Sequence, residues 1–379
     1  MKTYQGIAQN IGNVIIGRIT KQGRPFFKRK NYIILCNEDY RGLTGYSGAI
    51  FTSASAPKTF RKLPIVCYNN NQIIKDLKND DIVSLNPNGN INVLWEVESD
   101  ENAFLLTEQC NCRCVMCPQP PRKDPEGLFE LNLRILDLIN PKKTNRLCIT
   151  GGEPTILGDK FISFLKICKS RCPESNITVL TNGTQFSNFE FSKQVASIGL
   201  KNLLICVALY ADTDTLHDDI TRLKGSFYDT VKGLHNLAKF HQNIEIRFVI
   251  NKLNYERLHS FAIFVYRNFP FVFHVAFMGL EITGYAEKNF NEIWIDPIDY
   301  KDNLRSAVLE LSRRDIHTSI YNIPLCLIPK DIWSFSRKSI SPWKNNYLPI
   351  CQDCDVREMC CGIFTTSAFQ SANIRPIKS

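Results

Sequence analysis

Three cysteines with the spacing Cys-x3-Cys-x2-Cys, namely Cys110, Cys114 and Cys117, are the residues best suited to bind a metal cofactor. Three thiolates on one loop can each hold one iron of a cubane [4Fe–4S] cluster, which leaves the fourth iron open for another ligand. Catalytic zinc sites also keep one coordination position open. A structural zinc site that adds Cys112 as a fourth thiolate is the alternative, although the resulting C-x-C-x-C spacing is tight for tetrahedral coordination.

A second motif, Gly151-Gly152-Glu153, begins 34 residues after Cys117 and follows a predicted strand. Glycines let a backbone approach a ligand closely, and the carboxylate of Glu153 can accept an ammonium group. An ordinary turn between a strand and a helix is the alternative for this motif.

Two further polar residues, Asn182 and Arg247, belong to later predicted strands. Asn182 ends one strand just before a glycine, where it could contact a cofactor or simply form a turn. Arg247 lies in an otherwise apolar strand, where a charged side chain is costly unless it is paired. A carboxylate of a bound ligand is one candidate partner, and Glu153, Glu245 and Glu281 are the structural alternatives.

A second group of cysteines lies near the end of the sequence, in an irregular region with little periodicity. Cys351, Cys354, Cys360 and Cys361 are close in sequence, and Cys326 precedes the first of them by 25 residues. Such a region needs a stabiliser other than a large core, and its cysteines indicate a metal. Thiolates bind both zinc and iron, so spacing alone leaves the metal open.

The elements that must position these residues follow a strand–helix alternation that begins near residue 102. This pattern implies a parallel sheet with right-handed crossovers, in which chemistry is placed at the strand ends. We predict that Asp124 caps the first helix and that the alternation ends after Leu280. A helix is still expected near Tyr300–Arg313. The predicted strands are Ala103–Thr107, Arg146–Thr150, Ile177–Thr181, Leu203–Leu209, Ile244–Ile250 and Val272–Met278.

Residues 1–100 contain short β-branched segments bounded by turn residues, which predicts a small β-rich domain. The sequence Asn86-Pro87-Asn88-Gly89 predicts a hairpin turn between its last two strands. The predicted strands are Asn13–Ile19, Asn31–Leu35, Leu63–Tyr68, Asp81–Leu85 and Ile91–Val97.

The composition limits the possible classes of protein. With 379 residues and 44% hydrophobic content, the chain can form one barrel-sized domain and one or two small ones. Its formal charge of +9 favours acidic partners, but the sequence has no run of five Lys or Arg residues that would indicate nucleic-acid binding. No apolar stretch approaches the ~18 residues of a membrane span, and the first residues do not resemble a signal peptide. We therefore expect a cytoplasmic protein without a membrane partner, whose clustered cysteines bind metal rather than form disulfides.

The cysteine spacing of residues 110–117, together with Gly151-Gly152-Glu153, resembles the radical S-adenosylmethionine (SAM) superfamily. The resemblance implies that the open iron of the cluster chelates SAM. It also implies that reductive cleavage of SAM yields a 5′-deoxyadenosyl radical, which abstracts a hydrogen atom from the substrate. An electron donor such as flavodoxin or ferredoxin would then be required. The SAM contacts implied are Gly151, Gly152, Glu153, Asn182 and Arg247.

Two positions depart from the family pattern. Met116 stands where many relatives have an aromatic residue against adenine, and its polarizable thioether could take that role. Ala208 stands where many relatives have a polar residue that binds the ribose, and Tyr210 could substitute for it.

The stretch Cys351-x2-Cys354-x5-Cys360 resembles part of the auxiliary cluster domain of radical SAM peptide-modifying enzymes, the SPASM type. A further cysteine of that pattern is missing, so the resemblance implies one second [4Fe–4S] cluster, as in the shorter twitch version. Its ligands would be Cys326, Cys351, Cys354 and Cys360. Cys361 could replace Cys360, and a zinc site with the same ligands is the alternative.

Nearly the whole sequence is similar to the C component of the His-Xaa-Ser system radical SAM maturases. This similarity implies that the chain modifies a small peptide or protein, with a second radical SAM protein as a possible partner. It also implies a partial (β/α)6 TIM-like barrel at 101–285, a β-rich domain at 1–100 and a twitch-like extension at 286–379. The stretches that carry the similarity are Leu106–Asn111, Cys117–Pro121, His217–Ile220, Lys224–Phe227 and Cys351–Gly362.

Two other functions remain as alternatives. One is a two-cluster radical SAM enzyme that acts on a nucleotide or RNA, such as a cyclase resembling the molybdenum cofactor A protein. That family has a Gly-rich C-terminal tail, whereas this sequence ends Ala-Asn-Ile-Arg-Pro-Ile-Lys-Ser. The other is a non-catalytic iron–sulfur or zinc protein, against which the intact Gly-Gly-Glu motif argues.

Overall fold

The computed structural model describes residues 2–37, 42–53, 62–100, 102–338 and 345–378. The chain divides into two compact units. The first unit consists of Met1–Asn102, Gly127–Leu147 and Ile167–Ser175. The second unit consists of Ala103–Glu126, Cys148–Lys166 and Asn176–Ser379.

The first unit is built on a mixed β-sheet. Its strands are β1 (Thr3–Gln5), β2 (Ile7–Gln9), β3 (Ile15–Thr20), β4 (Tyr32–Cys36), β5 (Gly48–Phe51), β6 (Ile65–Cys67), β7 (Ile82–Leu85) and β8 (Asn90–Trp95). Their spatial order is β1-β8-β7-β3-β4-β5-β6-β2. Strands β3 to β6 run parallel to one another, and the other neighbours are antiparallel. The helices of this unit are α1 (Gln72–Asp76) and α2 (Leu128–Leu138).

The N-terminal segment joins both ends of this row of strands, because only Gly6 separates β1 from β2. β1 pairs with β8 and β2 pairs with β6, so a single segment closes the row. A Cβ atom at Gly6 would lie 2.5 Å from the carbonyl oxygen of Cys67, so the crossing requires glycine. The predicted turn between β7 and β8 is confirmed, since the N–H of Gly89 donates to the carbonyl of Asn86 at 2.9 Å.

A parallel sheet of eight strands in sequence order carries the rest of the fold. Its strands are β9 (Ala103–Leu105), β10 (Arg146–Thr150), β11 (Asn176–Thr181), β12 (Leu203–Ala208), β13 (Asn243–Val249), β14 (His274–Met278), β15 (His317–Tyr321) and β16 (Ser336–Arg337). The helices are α3 (Asp159–Arg171), α4 (Phe189–Ser197), α5 (Asp214–Thr221), α6 (Ser226–Lys239), α7 (Leu258–Asn268), α8 (Tyr285–Lys288), α9 (Phe290–Ile293) and α10 (Pro297–Ser312). A short antiparallel pair, β17 (Asn345–Asn346) and β18 (Ile363–Phe364), follows.

All six predicted strands of this region are present, and the helix expected near residues 300–313 is confirmed as α10. The prediction that the alternation ends after Leu280 is wrong. α10 leads into β15, which pairs in parallel with β14, and β16 extends the sheet further. The sheet therefore has two more strands than the six predicted. Among the described helices, none combines the length and apolarity that crossing a bilayer requires.

Candidate cofactor site

The cysteine loop follows β9 at the carboxyl end of the parallel sheet. The thiols of Cys110, Cys112, Cys114 and Cys117 are all free. The backbone N–H of Cys112 donates to the Sγ atom of Cys110 at 3.3 Å. Hydrogen bonding to Cys112 and burial raise the pKa of Cys110, and burial raises the pKa of Cys117. These thiols therefore favour the protonated form, and binding a cation would release their protons.

Asp124 closes the loop at its base. Its carboxylate accepts hydrogen bonds from the Thr107 hydroxyl at 2.8 Å, the Glu108 N–H at 2.5 Å and the Gln109 side-chain amide at 3.1 Å. The prediction that Asp124 caps a helix is wrong, because α2 begins at Leu128. Asp124 instead fixes the three residues that precede Cys110.

The two glycines of the Gly-Gly-Glu motif let the end of β10 contact this loop directly. A Cβ atom on Gly151 would lie 2.7 Å from the Thr107 carbonyl oxygen, and one on Gly152 would lie 2.3 Å from that of Gln109. The N–H of Gly152 donates to Thr107, and the N–H of Glu153 donates to Gln109, each at 2.8 Å. The close approach that requires glycine here is to the backbone of the cysteine loop.

The Glu153 carboxylate is fully buried and links the ends of β10 and β11. Oε1 accepts from the Thr155 N–H at 3.0 Å, the Thr155 hydroxyl at 2.5 Å and the Thr181 hydroxyl at 2.8 Å. Oε2 accepts from the Asn182 N–H at 2.5 Å. Burial raises the pKa of Glu153, and these hydrogen bonds oppose the rise. A ligand ammonium group would have to replace or share one of these donors.

Asn182 reaches the cysteine loop with its side chain. Its Nδ2 donates to Oδ1 of Asn111 at 2.8 Å and lies 3.3 Å from the Sγ atom of Cys112. Its Oδ1 accepts from the Thr184 N–H at 3.0 Å and from the Thr184 hydroxyl at 2.8 Å. The amide of Asn111 donates to the Thr184 hydroxyl at 2.9 Å, which completes a closed network. Asn111 and Thr184 were not predicted, and only their positions beside Cys110 and Asn182 could have indicated them.

Arg247 is paired with Glu245, one of the three acidic residues considered from the sequence. Its Nε donates to Oε1 of Glu245 at 2.6 Å. His274 contacts Oε2 of Glu245 at 2.8 Å and the Ser319 hydroxyl at 2.9 Å. Burial alone would raise the pKa of Glu245, but the His274 hydrogen bond and the Arg247 charge lower it to about 2. A carboxylate shared by two partners therefore holds Arg247 in place.

The strand register leaves space beside Arg247. Ala208 and Ala276 are its Cα neighbours on β12 and β14, and the Arg247 side chain keeps 26% of its surface exposed. Because Thr181 pairs with Val207, Asn182 lies at the level of Ala208 and Arg247. The predicted SAM contacts of β11 and β13 thus belong to one layer of the sheet.

The two positions that depart from the family pattern have different surroundings. Met116 is 4% exposed and packs with Ile220 and Ile293, so its thioether is surrounded by protein atoms. Tyr210 packs at the edge of the same cluster. Burial and the charges of the cysteines raise the pKa of Tyr210.

The four cysteines predicted for a second site line one pocket of about 370 Å³, part of which is open to solvent. These residues are Cys326, Cys351, Cys354 and Cys360.

Backbone N–H groups point at two of these sulfur atoms. Cys360 accepts from Leu325 and Gly362, and Cys354 accepts from Ile377, each at 3.4 Å. Contact with Cys361 and these N–H groups lower the pKa of Cys360, whereas burial opposes this effect. Cys361 is buried outside the pocket and donates to the Gly362 carbonyl at 3.3 Å. Of these two neighbouring cysteines, only Cys360 lines the pocket.

Within the described part of the chain, no three His, Cys, Asp or Glu side chains converge closely enough to hold a single metal ion. In a cubane cluster each thiolate binds a different iron, so the ligands stand farther apart than around one ion. The donor set of the cysteine loop, three partly exposed thiols on one segment, fits such a cluster.

Comparison with known proteins shows what the central part of the chain is similar to. Residues 104–265 match the sequence model of the Radical SAM superfamily. Over 193 residues the chain is 26% identical to the Fe-coproporphyrin III synthase of Methanosarcina barkeri, a match that covers 49% of this chain and 45% of that protein. Over 221 residues it is 28% identical to a GTP 3′,8-cyclase of Desulforamulus reducens, a match that covers 54% of this chain and 61% of that protein. The chain thus spans less than two thirds of the length of either relative.

Solved structures with a similar arrangement include SuiB of Streptococcus suis and anSMEcpe. SuiB is 18% identical with a TM-score of 0.45, and the match covers 57% of this chain and 48% of that one. The structure of anSMEcpe with bound AdoMet and Cp18Cys peptide is 17% identical with a TM-score of 0.44, and the match covers 57% of this chain and 62% of that one.

Residues 104–265 of the chain therefore form a radical SAM domain. Enzymes of this class use a [4Fe–4S] cluster together with SAM.

Proposed function

We propose that Cys110, Cys114 and Cys117 hold the [4Fe–4S] cluster of this enzyme, and that the enzyme modifies a small peptide or protein. The proposal for the cluster rests on one observation, namely that hydrogen bonds attach the cysteine loop to the ends of β10 and β11. The end of β10 is bonded to residues 107 and 109, and Asn182 at the end of β11 is bonded to Asn111. The loop is therefore fixed at the sheet edge where parallel folds place their chemistry. When bound, the cluster and SAM together supply a 5′-deoxyadenosyl radical.

The proposed SAM contacts are Gly151, Gly152, Glu153, Asn182 and Arg247. The backbone of Gly151 and Gly152 lies against the cysteine loop, so a ligand on that loop would meet it. Glu153 and Asn182 keep this edge in position through their mutual hydrogen bond. Arg247 is held by its Nε, and its terminal nitrogens make no hydrogen bond with any described residue, which suits them to the SAM carboxylate. Cys112 contributes its N–H to Cys110 and is not assigned as a ligand.

A second [4Fe–4S] cluster at Cys326, Cys351, Cys354 and Cys360 is also proposed. Two observations support this second cluster. The four cysteines line one pocket, and backbone N–H groups point at Cys354 and Cys360. Hydrogen bonds to sulfur help to set the reduction potential of such clusters. The protein with Cys110, Cys114 and Cys117 all changed to alanine tests this site. It should keep an iron–sulfur absorption band after reconstitution. Complete loss of that band would refute a second cluster, and bound zinc in its place would favour the structural alternative.

The peptide substrate is proposed from the similarity to the His-Xaa-Ser system maturases. That similarity also suggests a second radical SAM protein as partner. A flavodoxin or ferredoxin as electron donor, a cytoplasmic location, and the division into 1–100, 101–285 and 286–379 are proposed as well. The GTP 3′,8-cyclase among the relatives supports a nucleotide as the second candidate substrate. Mass spectrometry of a small protein co-expressed with the enzyme would distinguish them, because only the first proposal predicts a changed peptide mass.

The radical chemistry itself can be tested without the substrate. The protein is purified without oxygen, reconstituted with iron and sulfide, reduced with dithionite and given SAM. We expect 5′-deoxyadenosine to form. A filled cluster that yields no 5′-deoxyadenosine would contradict the proposal and favour a non-catalytic iron–sulfur protein.

A further inference from the structure

A further pocket lies at the carboxyl ends of β13, β14 and β15, and it shares Pro324, Ile363 and Ile374 with the pocket of the second cysteine group. Ile250, Leu280 and Asn322, which follow these strands, line it. It encloses about 500 Å³, part of which is open to solvent. Leu280 also packs against the apolar cluster that contains Met116, so the pocket adjoins the cysteine loop.

The opposite wall of this pocket comes from the C-terminal segment, which is firmly attached. The Ser371 hydroxyl donates to the Asp296 carboxylate at 2.7 Å, and the Asn373 amide donates to it at 3.0 Å. The N–H of Ala368 donates to the carbonyl of Ile282 at 2.9 Å. Because these bonds fix the segment, the pocket exists before a ligand arrives, and binding need not order this wall.

The walls are largely apolar and aromatic, and their polar part consists of Asn322, Ser367, Gln370 and Ser371. Phe369 is 44% exposed and packs edge-on against Phe290 at 4.8 Å and Trp294 at 5.0 Å between ring centroids. No charged side chain is among the described residues that line the pocket. A polyanion would lose water there without gaining a cation, which is costly. An apolar side chain instead gains about 25 cal/mol for each Å² that it buries.

We propose that this pocket binds a large apolar side chain of the peptide substrate, and that Phe369 is a specificity-determining residue. The inference rests on the proposed function and names the substrate class: a peptide with an aromatic or large aliphatic residue near the modified position. A nucleoside triphosphate does not fit these walls, since its phosphates would find no cation among them.

The experiment uses the full protein labelled with 5-fluorotryptophan, with the Trp294 fluorine signal assigned by comparison with Trp294→Phe. The probes are N-acetylphenylalanine amide, N-acetylaspartate amide and GTP. We expect a saturable shift of the Trp294 signal with the phenylalanine probe alone. Phe369→Asp should weaken this binding at least tenfold, whereas Phe369→Leu should retain it. Phe189→Asp is the matched control, because Phe189 is a phenylalanine of similar exposure, 49%, that does not line the pocket.

Three results would overturn the inference. They are no Trp294 shift with the phenylalanine probe, equal shifts with all probes, and tighter binding of GTP. Melting curves of each variant confirm that the folded protein is being compared. SAM cleavage is measured on the same preparation, so the two proposals can fail separately. Cleavage without probe binding refutes the pocket, whereas probe binding without cleavage refutes the radical chemistry.

Discussion

The side-chain amide of Asn182 donates a hydrogen bond to Oδ1 of Asn111 at 2.8 Å, which ties the end of β11 to the loop between Cys110 and Cys112. The backbone N–H of the same Asn182 donates to the buried carboxylate of Glu153. One residue therefore connects the cysteine loop with the Gly-Gly-Glu motif, although the three segments are far apart in sequence.

Asn182→Ala should loosen the cysteine loop. The change removes the amide that bonds Asn111 and the oxygen that Thr184 bonds, a loss of about 1–3 kcal/mol. Misplacement of a site by about 1 Å can lower a rate by roughly a hundredfold, so 5′-deoxyadenosine formation should fall ten- to a hundredfold. Asn268→Ala, on an exposed helix end, is the control. An unchanged rate in Asn182→Ala would show that this network does not position the site.

Gly152→Ala should displace the loop by a different route. The new Cβ atom would lie 2.3 Å from the carbonyl oxygen of Gln109, so the backbone must move. We expect a destabilisation of about 1–3 kcal/mol, as for other overpacked positions, and loss of iron after reconstitution. Gly12→Ala is the matched control, because no heavy atom lies within 4 Å of a Cβ atom there. Equal iron content in both variants would contradict the tight packing of this motif on the loop.

Glu245 should make the stability of the protein depend on acid pH. The pKa of Glu245 is lowered from 4.5 to about 2, so the ionised form is favoured in the folded state. The stabilisation, about 3 kcal/mol, is present above pH 4.5 and is lost as the pH falls towards 2. Unfolding free energies of the wild type and of Glu245→Gln should therefore differ most near neutral pH and converge in acid. The exposed Glu287→Gln serves as control, and a pH-independent difference for Glu245→Gln would be inconsistent with this assignment.

The adjacent cysteines at the second site should behave differently. Cys360 lines the pocket and accepts two backbone N–H groups, whereas Cys361 is buried outside it. In the background without Cys110, Cys114 and Cys117, Cys360→Ser should abolish the remaining iron–sulfur absorption, and Cys361→Ser should retain it. The reverse result would show that Cys361, and not Cys360, is the ligand.

Local sequence patterns were sufficient to predict the six strands from β9 to β14. The strand β15 was missed because His317–Tyr321 is short and begins with three polar residues, and β16 has only two residues. The closure of the first unit at Gly6 was not predictable either. It depends on pairings with β8 and β6, which are distant in sequence.

The side-chain partners were harder to predict than the motifs. Asp124 has the sequence context of a helix cap. Its carboxylate instead accepts a hydrogen bond from the hydroxyl of Thr107, 17 residues earlier. The pairing of Arg247 with Glu245 follows from strand geometry, because residues two apart project from the same face. The sequence alone shows that Glu245 and Arg247 are two residues apart. It does not exclude Glu153 or Glu281 as the partner of Arg247, because that requires the register of the sheet.

The most direct test of the account compares two neighbouring cysteines of the loop in one assay, namely 5′-deoxyadenosine formed from SAM by the reconstituted and reduced protein. Cys114→Ala removes a proposed iron ligand and should abolish the product. Cys112→Ala removes a thiol outside the ligand set and should retain most of the activity. Product from Cys114→Ala, or its absence from a Cys112→Ala protein that still contains iron, would contradict the assignment of Cys110, Cys114 and Cys117.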